Sequence, residues 1–195
     1  MKKSLLVLTL LVATVACAND EITVGTNAPA FSLVNSVDGK TVDFKPADGK
    51  LKVVVFTCNQ CPYAKAFEPR IIELARSFQP KGVTFYAVNP NDDSRFEIET
   101  AANMKARAEE KSYPFPYLKD GDSKTAHAYG ARVTPHVFVV DGKGMVRYRG
   151  YVDDSAKPED RKTTGLTDAL NSLLDGREVA NNDTRAFGCT IKWKS

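Results

Sequence analysis

One stretch constrains the fold more than any other. Leu51-Lys52-Val53-Val54-Val55-Phe56-Thr57 is an almost unbroken apolar run that passes directly into Cys58-Asn59-Gln60-Cys61-Pro62. So continuous a run suits a strand covered on both faces, as in sheets flanked by helices. After Pro62, the residues Ala64, Phe67, Ile71, Leu74, Ala75 and Phe78 recur at helical spacing up to Gln79. Other segments continue the alternation. Ala30 to Val34 and Thr41 to Phe44 flank Asp38-Gly39-Lys40, a hairpin signal. Val83 to Val88 reads as a strand, Ser94 to Lys111 as a polar helix, and Ser123 to Tyr129 as a short helix. Val137 to Val140 and Met145 to Tyr151 are strands joined by an Asp-Gly turn, and Thr164 to Leu174 is a final helix. A strand–helix–strand connection implies parallel pairing and a tight turn implies antiparallel pairing. The expected fold is therefore α/β, with a mixed central sheet and helices on both faces.

The N-terminal segment reads as an export signal. Met1-Lys2-Lys3 is positive, Ser4 to Val15 is mainly apolar, and Ala16-Cys17-Ala18 supplies an Ala-x-Ala end. The apolar run is short of the roughly 20 residues needed to span a bilayer. Residues 1–18 are thus expected to be a signal peptide. The alternative is a lipoprotein signal over 1–16, because Ala13-Thr14-Val15-Ala16-Cys17 is similar to a lipoprotein box with Thr14 where Leu is usual. In that case Cys17 would carry the lipid and anchor the chain to a membrane. Residues 19–176 form the expected domain, and 177–195 a C-terminal tail. The 195 residues hold 27 Lys and Arg against 24 Asp and Glu, net +3. Without Lys2 and Lys3 the balance falls to 25 against 24, net +1. That is no electrostatic footprint for a nucleic acid or an anionic membrane.

Setting Cys17 aside leaves Cys58, Cys61 and Cys189. An exported chain can hold disulfides, but cysteines spaced by two residues are more often redox-active or metal-binding than structural. A thiolate rather than a thiol attacks a disulfide, and a free Cys with a pKa of about 8.5 is mostly protonated at neutral pH. The positive end of a helix favours the anion. Cys58, just ahead of the helix, is the expected exposed, low-pKa attacker, and Cys61 the residue that resolves the mixed disulfide. A static Cys58–Cys61 staple would close too short a loop to stabilise much. Two thiolates alone leave a zinc or copper site incomplete.

The chain resembles a known family. Phe56-Thr57-Cys58-Asn59-Gln60-Cys61-Pro62-Tyr63 is similar to a thioredoxin-fold active site. Val24-Gly25-Thr26-Asn27-Ala28-Pro29-Ala30-Phe31-Ser32-Leu33, with Asp38-Gly39-Lys40, resembles the peroxiredoxin (AhpC/TSA-type) redoxin branch, as does Tyr129 to Asp141 with its Thr134-Pro135. Gly188-Cys189-Thr190-Ile191-Lys192-Trp193 resembles the ending of exported redoxins with a Cys-Asn-x-Cys-Pro-Tyr motif. The resemblance implies a thioredoxin fold with an N-terminal β-hairpin extension. It also implies a periplasmic thiol–disulfide oxidoreductase working without a cofactor on protein or small-molecule thiols and disulfides, with an upstream periplasmic electron donor or acceptor. Cys58 and Cys61 would be catalytic, and Thr57, Asn59, Gln60 and Pro62 would support them. Pro135 would be cis, and the backbone of Thr134 would bond an incoming peptide.

Two other functions compete. Thiol peroxidases of this type carry Pro-x-x-x-(Thr/Ser)-x-x-Cys. Counting back from Cys58 gives Val55 and Leu51, and from Cys61 gives Cys58 and Val54, so neither cysteine fits. A copper-binding chaperone would use Cys58, Cys61 and His136. Cys189 is a candidate third redox cysteine, since Ile191 and Trp193 alternate with Thr190 and Lys192 as in an extended segment docking on the body. Asp120-Gly121-Asp122 reads as a solvated turn, Asp153-Asp154 as a strand-end turn, Glu68 as a partly exposed helix carboxylate ahead of Pro69, and His127 as a surface or packing residue.

Overall fold

The computed structural model describes residues 22–194. The proposed export segment, including Cys17, lies outside the described residues. No helix among the described residues is long and apolar enough to cross a membrane.

Phe31–Asn35 (β1) and Thr41–Phe44 (β2) form the hairpin, and Leu51–Phe56 (β3) is the apolar strand. Pro62–Phe78 (α1) follows and runs unbroken through Pro69. Val83–Asn89 (β4), Ala101–Glu110 (α2), Tyr117–Lys119 (β5) and Lys124–Ala128 (α3) come next. The chain then forms Val133–Thr134 (β6), His136–Val140 (β7), Val146–Gly150 (β8), Gly165–Leu174 (α4) and Cys189–Thr190 (β9). Seven strands make one sheet in the order β2-β1-β5-β4-β3-β7-β8, and β6 pairs with β9 in a separate ribbon. β3, β4 and β5 are parallel neighbours, whereas β7 and β8 continue antiparallel. The mixed α/β fold class holds.

Alternation along β3 feeds two cores. Val53 and Val55 pack with Phe67, Ile71 and Ala75 of α1 and Leu166 and Leu170 of α4. Val54 and Phe56 face Ala126, Tyr129, Phe138 and the tail residue Ile191. Lys52 is buried as well, because its ammonium folds back onto the carbonyls of Pro46 and Lys50 and the carboxylate of Asp48.

The structure corrects several expectations. The helix expected over Ser94–Lys111 is confined to α2. A 3₁₀ turn, Glu97–Glu99, precedes it, and Thr100 caps it by accepting from Asn103 N–H. β5 was not expected. It is three residues long and follows Pro114 and Pro116, too short for a period to show. Through it the hairpin becomes the edge of the main sheet rather than an appendage. Asp120 is buried and accepts from the Thr125 and Ala126 N–H groups at 3.2 and 2.8 Å, satisfying the start of α3. Burial raises its pKa. Asp153 is buried against Arg70. Glu68 is buried in a two-pronged pair with Arg107, 2.8 and 2.7 Å, and accepts from the Tyr113 hydroxyl.

Candidate active site

The site sits where β3 and β4 end. Carboxyl ends of parallel strands leave backbone groups open to a crevice, and here both following turns fill it: Thr57 to Cys61 after β3, and Pro90 to Asp92 after β4. Thr57 N–H donates to the Val88 carbonyl at 2.9 Å, extending the ladder into the first turn. Helix α1 begins at Pro62, whose missing N–H costs nothing at a helix start. Cys61 is therefore the N-cap residue, and its sulfur accepts from Ala64 N–H at 3.5 Å.

Thr134 joins the two cysteines. The Thr134–Pro135 peptide is cis. Cys58 Sγ lies 3.2 Å from the Thr134 hydroxyl, and Cys61, with its proton on, donates to the Thr134 carbonyl at 3.2 Å. All three described cysteines are free thiols. Cys58 is only 3% exposed and Cys61 1%.

This corrects the expectation of an exposed, low-pKa Cys58. Hydrogen bonding to Cys61 raises the Cys58 pKa, and burial and the charge of Glu99 push it further. Cys61 is lowered to about 4, first by the hydrogen bond from Cys58, against the cost of burial, with help from the Cys189 thiol and Ala64 N–H. The helix start favours the sulfur that caps it, and that sulfur is Cys61. Of the pair, Cys61 is the sulfur that ionises first.

Glu99 is the residue that the sequence did not disclose. Its carboxylate is fully buried. Oε2 accepts from Asn59 N–H at 2.9 Å and Asn89 Nδ2 at 2.8 Å. Oε1 accepts from Gln60 N–H at 3.1 Å and Asn91 Nδ2 at 3.2 Å. Four donors on two oxygens match an ionised, acceptor-only carboxylate, which here clamps the backbone between the cysteines. Asn59 is fixed by its side chain too, donating to the Ile98 carbonyl at 2.7 Å and accepting from the Tyr117 hydroxyl at 3.0 Å. Gln60 Nε2 is buried without a hydrogen-bond partner. The available signal was Asn89-Pro90-Asn91-Asp92, a polar cluster directly after a strand.

The tail closes the site from the other side. β9 pairs antiparallel with β6, setting Cys189 opposite Thr134 and Thr190 opposite Val133. Cys189 is half-buried and packs against Cys58, Cys61 and Ala64. Lys192 N–H donates to Asn91 Oδ1 at 2.9 Å, and Asp92 N–H donates to the Lys192 carbonyl at 2.7 Å. Ile191 is buried in the second core, and Trp193 stacks on His127 with ring centres 4.0 Å apart. Cys58, Cys61, Pro62 and Cys189 line a recess of about 200 Å³.

His136 does not join them. Its ring lies against Phe138 at 4.5 Å, on the Phe56 side of the sheet, and burial lowers its pKa to about 4. It lines a separate cavity with Arg132 and Asp183. Among the described residues no group of three or more His, Cys, Asp or Glu side chains could hold a metal ion, which removes the basis for a Cys58, Cys61 and His136 copper site.

Residues 24–149 match the model of the AhpC/TSA family. The chain belongs to that family. It is 29% identical over 136 residues to a protein named thiol:disulfide interchange protein DsbE from Pseudomonas fluorescens biotype C, covering 67% of this chain and 69% of the relative. It is 26% identical over 127 residues to the thiol-disulfide oxidoreductase ResA of Bacillus anthracis, covering 65% of this chain and 69% of the relative. Among solved structures, an uncharacterised conserved protein from Geobacillus kaustophilus is 38% identical with a TM-score of 0.84, covering 90% of this chain and 94% of that one. The fold is thioredoxin-like, as the resemblance implied.

Proposed function

We propose that this protein is a thiol–disulfide oxidoreductase whose Cys58 and Cys61 interconvert between dithiol and disulfide. The observation that carries the reading is the two sulfurs meeting at Thr134, with Cys61 capping the start of α1. Relatives named for thiol–disulfide chemistry agree with it. Thr57, Asn59, Gln60 and Pro62 shape the turn, and Thr134 with Pro135 frames it. Its substrates are protein or small-molecule thiols and disulfides, with a periplasmic partner supplying or removing electrons. The reading includes export, by cleavage after Ala18 or lipidation at Cys17, and intact mass of protein from its own host decides between them. Recovery of Met1 refutes export.

Equilibration in dithiothreitol redox buffers followed by thiol alkylation tests the chemistry. The wild type should lose two alkylatable thiols, mapped to Cys58 and Cys61, in one two-electron step, and neither Cys58→Ser nor Cys61→Ser should yield a peptide crosslinked between positions 58 and 61. Reduction of insulin disulfides, measured beside peroxide consumption, separates this function from a thiol peroxidase. Peroxide turnover without disulfide exchange would refute the proposal.

A further inference from the structure

The position opposite Thr134 is already filled. An antiparallel strand laid beside the residue preceding Pro135 exchanges main-chain hydrogen bonds with it and brings a side chain against the two sulfurs. In this chain that strand is β9, and the side chain is a thiol. The close fit depends on Gly188: a Cβ there would come within 2.1 Å of the Thr134 carbonyl oxygen. The tail is also fastened on its far side by Asn91, Asp92 and the Trp193–His127 stack, whereas an untethered terminus ordinarily frays. Three sulfurs are thereby gathered in one cluster at the start of α1. All three line the recess, but Cys58 and Cys61 are buried, and Cys189 is the part-exposed one of the three.

Resting on the oxidoreductase reading, we propose that Cys189 is a third catalytic cysteine, the sulfur through which outside partners exchange, with Cys61 alternating between disulfides to Cys58 and to Cys189. The inner step is an isomerisation. The Cys189 thiolate attacks Cys61 Sγ of the Cys58–Cys61 disulfide, the Cys61–Cys189 bond forms, and Cys58 leaves and takes up a proton, with no net change in oxidation. The outer step moves two electrons. A thiolate of a dithiol partner attacks Cys189 Sγ, and Cys61 leaves as the thiolate that the helix start already stabilises. Of two sulfurs in a disulfide, the one with the lower pKa leaves faster. The partner's second thiol then attacks its own sulfur in the mixed disulfide and passes its proton to Cys189. The partner departs as a disulfide, and the protein keeps one thiolate and two thiols. The reverse order reduces a partner's disulfide.

Three variants test this. Oxidation of Cys58→Ser with diamide should give a Cys61–Cys189 disulfide in peptides digested without reduction. Cys61→Ser treated with glutathione disulfide should carry its adduct on Cys189; an adduct on Cys58 overturns the proposal. Cys189→Ser should still form the Cys58–Cys61 disulfide with diamide, yet react with dithiothreitol about 10²-fold more slowly, a conservative allowance for losing a positioned intramolecular nucleophile. An unchanged or faster rate makes the tail a cover and refutes the relay while leaving the oxidoreductase reading intact. Failure of Cys189→Ser to form that disulfide overturns both.

Discussion

Replacing Glu99 by Gln keeps its shape and removes one acceptor oxygen. The carboxylate now satisfies four N–H donors, two on each oxygen. In the amide, two of those donors face an NH₂ group. A hydrogen bond to a charged group contributes about 1.5–3 kcal/mol, so two lost bonds cost about 3–6 kcal/mol. Burying a neutral amide instead of a charge returns part of this, leaving a net loss of roughly 2–4 kcal/mol. For a domain of this size about 1 kcal/mol moves Tm by roughly 2–4 °C, so calorimetry should show a fall of about 4–16 °C. A second readout follows from electrostatics. The charge of Glu99 contributes to the raised pKa of Cys58, so thiol titration of the variant should find Cys58 easier to ionise. A Tm within about 1 °C of wild type, or a Cys58 titration shifted upward, would refute the account of the clamp.

The pH dependence follows from one shared proton. With Cys61 lowered to about 4 and Cys58 raised, reduction between pH 5 and 8 takes up one proton for two electrons. The potential should then fall by about 30 mV per pH unit, whereas a pair of ordinary thiols gives about 59 mV. For the same reason, the Cys61 contribution to stability of the reduced protein is fully present above the ordinary thiol pKa and is lost as pH falls towards 4; urea unfolding of reduced and oxidised protein at pH 5 and 8 measures it. Thr134→Val removes a hydroxyl that lowers the Cys58 pKa, so titration should find Cys58 still harder to ionise. Gly188→Ala should push β9 away from Thr134 and raise the alkylation rate of Cys61 in the native protein by about tenfold, a local opening of roughly 1.4 kcal/mol; an unchanged rate would refute close contact there.

Legibility in the sequence followed burial. β3 was readable as an unbroken apolar run, buried on both faces, and α1 because it buries one face and carries the helical period. The turn between them was readable because Cys-x-x-Cys-Pro is chemically unusual. β5 was not, since three residues after two prolines carry no period. Glu99 was hidden because a carboxylate that clamps a backbone loop and one that faces water look alike in a polar stretch. Its role depends on Asn59, Asn89 and Asn91, which only the fold assembles. Which sulfur takes the helix end was also beyond the sequence: moving the helix start by one turn exchanges the roles of Cys58 and Cys61.

The three-residue strand β5 has a consequence for how the molecule opens. The strand pairing of the hairpin β1–β2 to the rest of the sheet is just two residues long, Val34 opposite Lys119 and Asn35 opposite Leu118. β3, by contrast, is paired along its length on both sides. Amide hydrogen exchange should therefore divide the sheet at that seam. The hairpin amides would exchange through a sub-global opening, and those of β3, β4 and β7 only with global unfolding. Stretches that open alone tolerate insertion best, so the hairpin turn at Asp38-Gly39 is where this fold can accept new sequence while Cys58 and Cys61 keep their places.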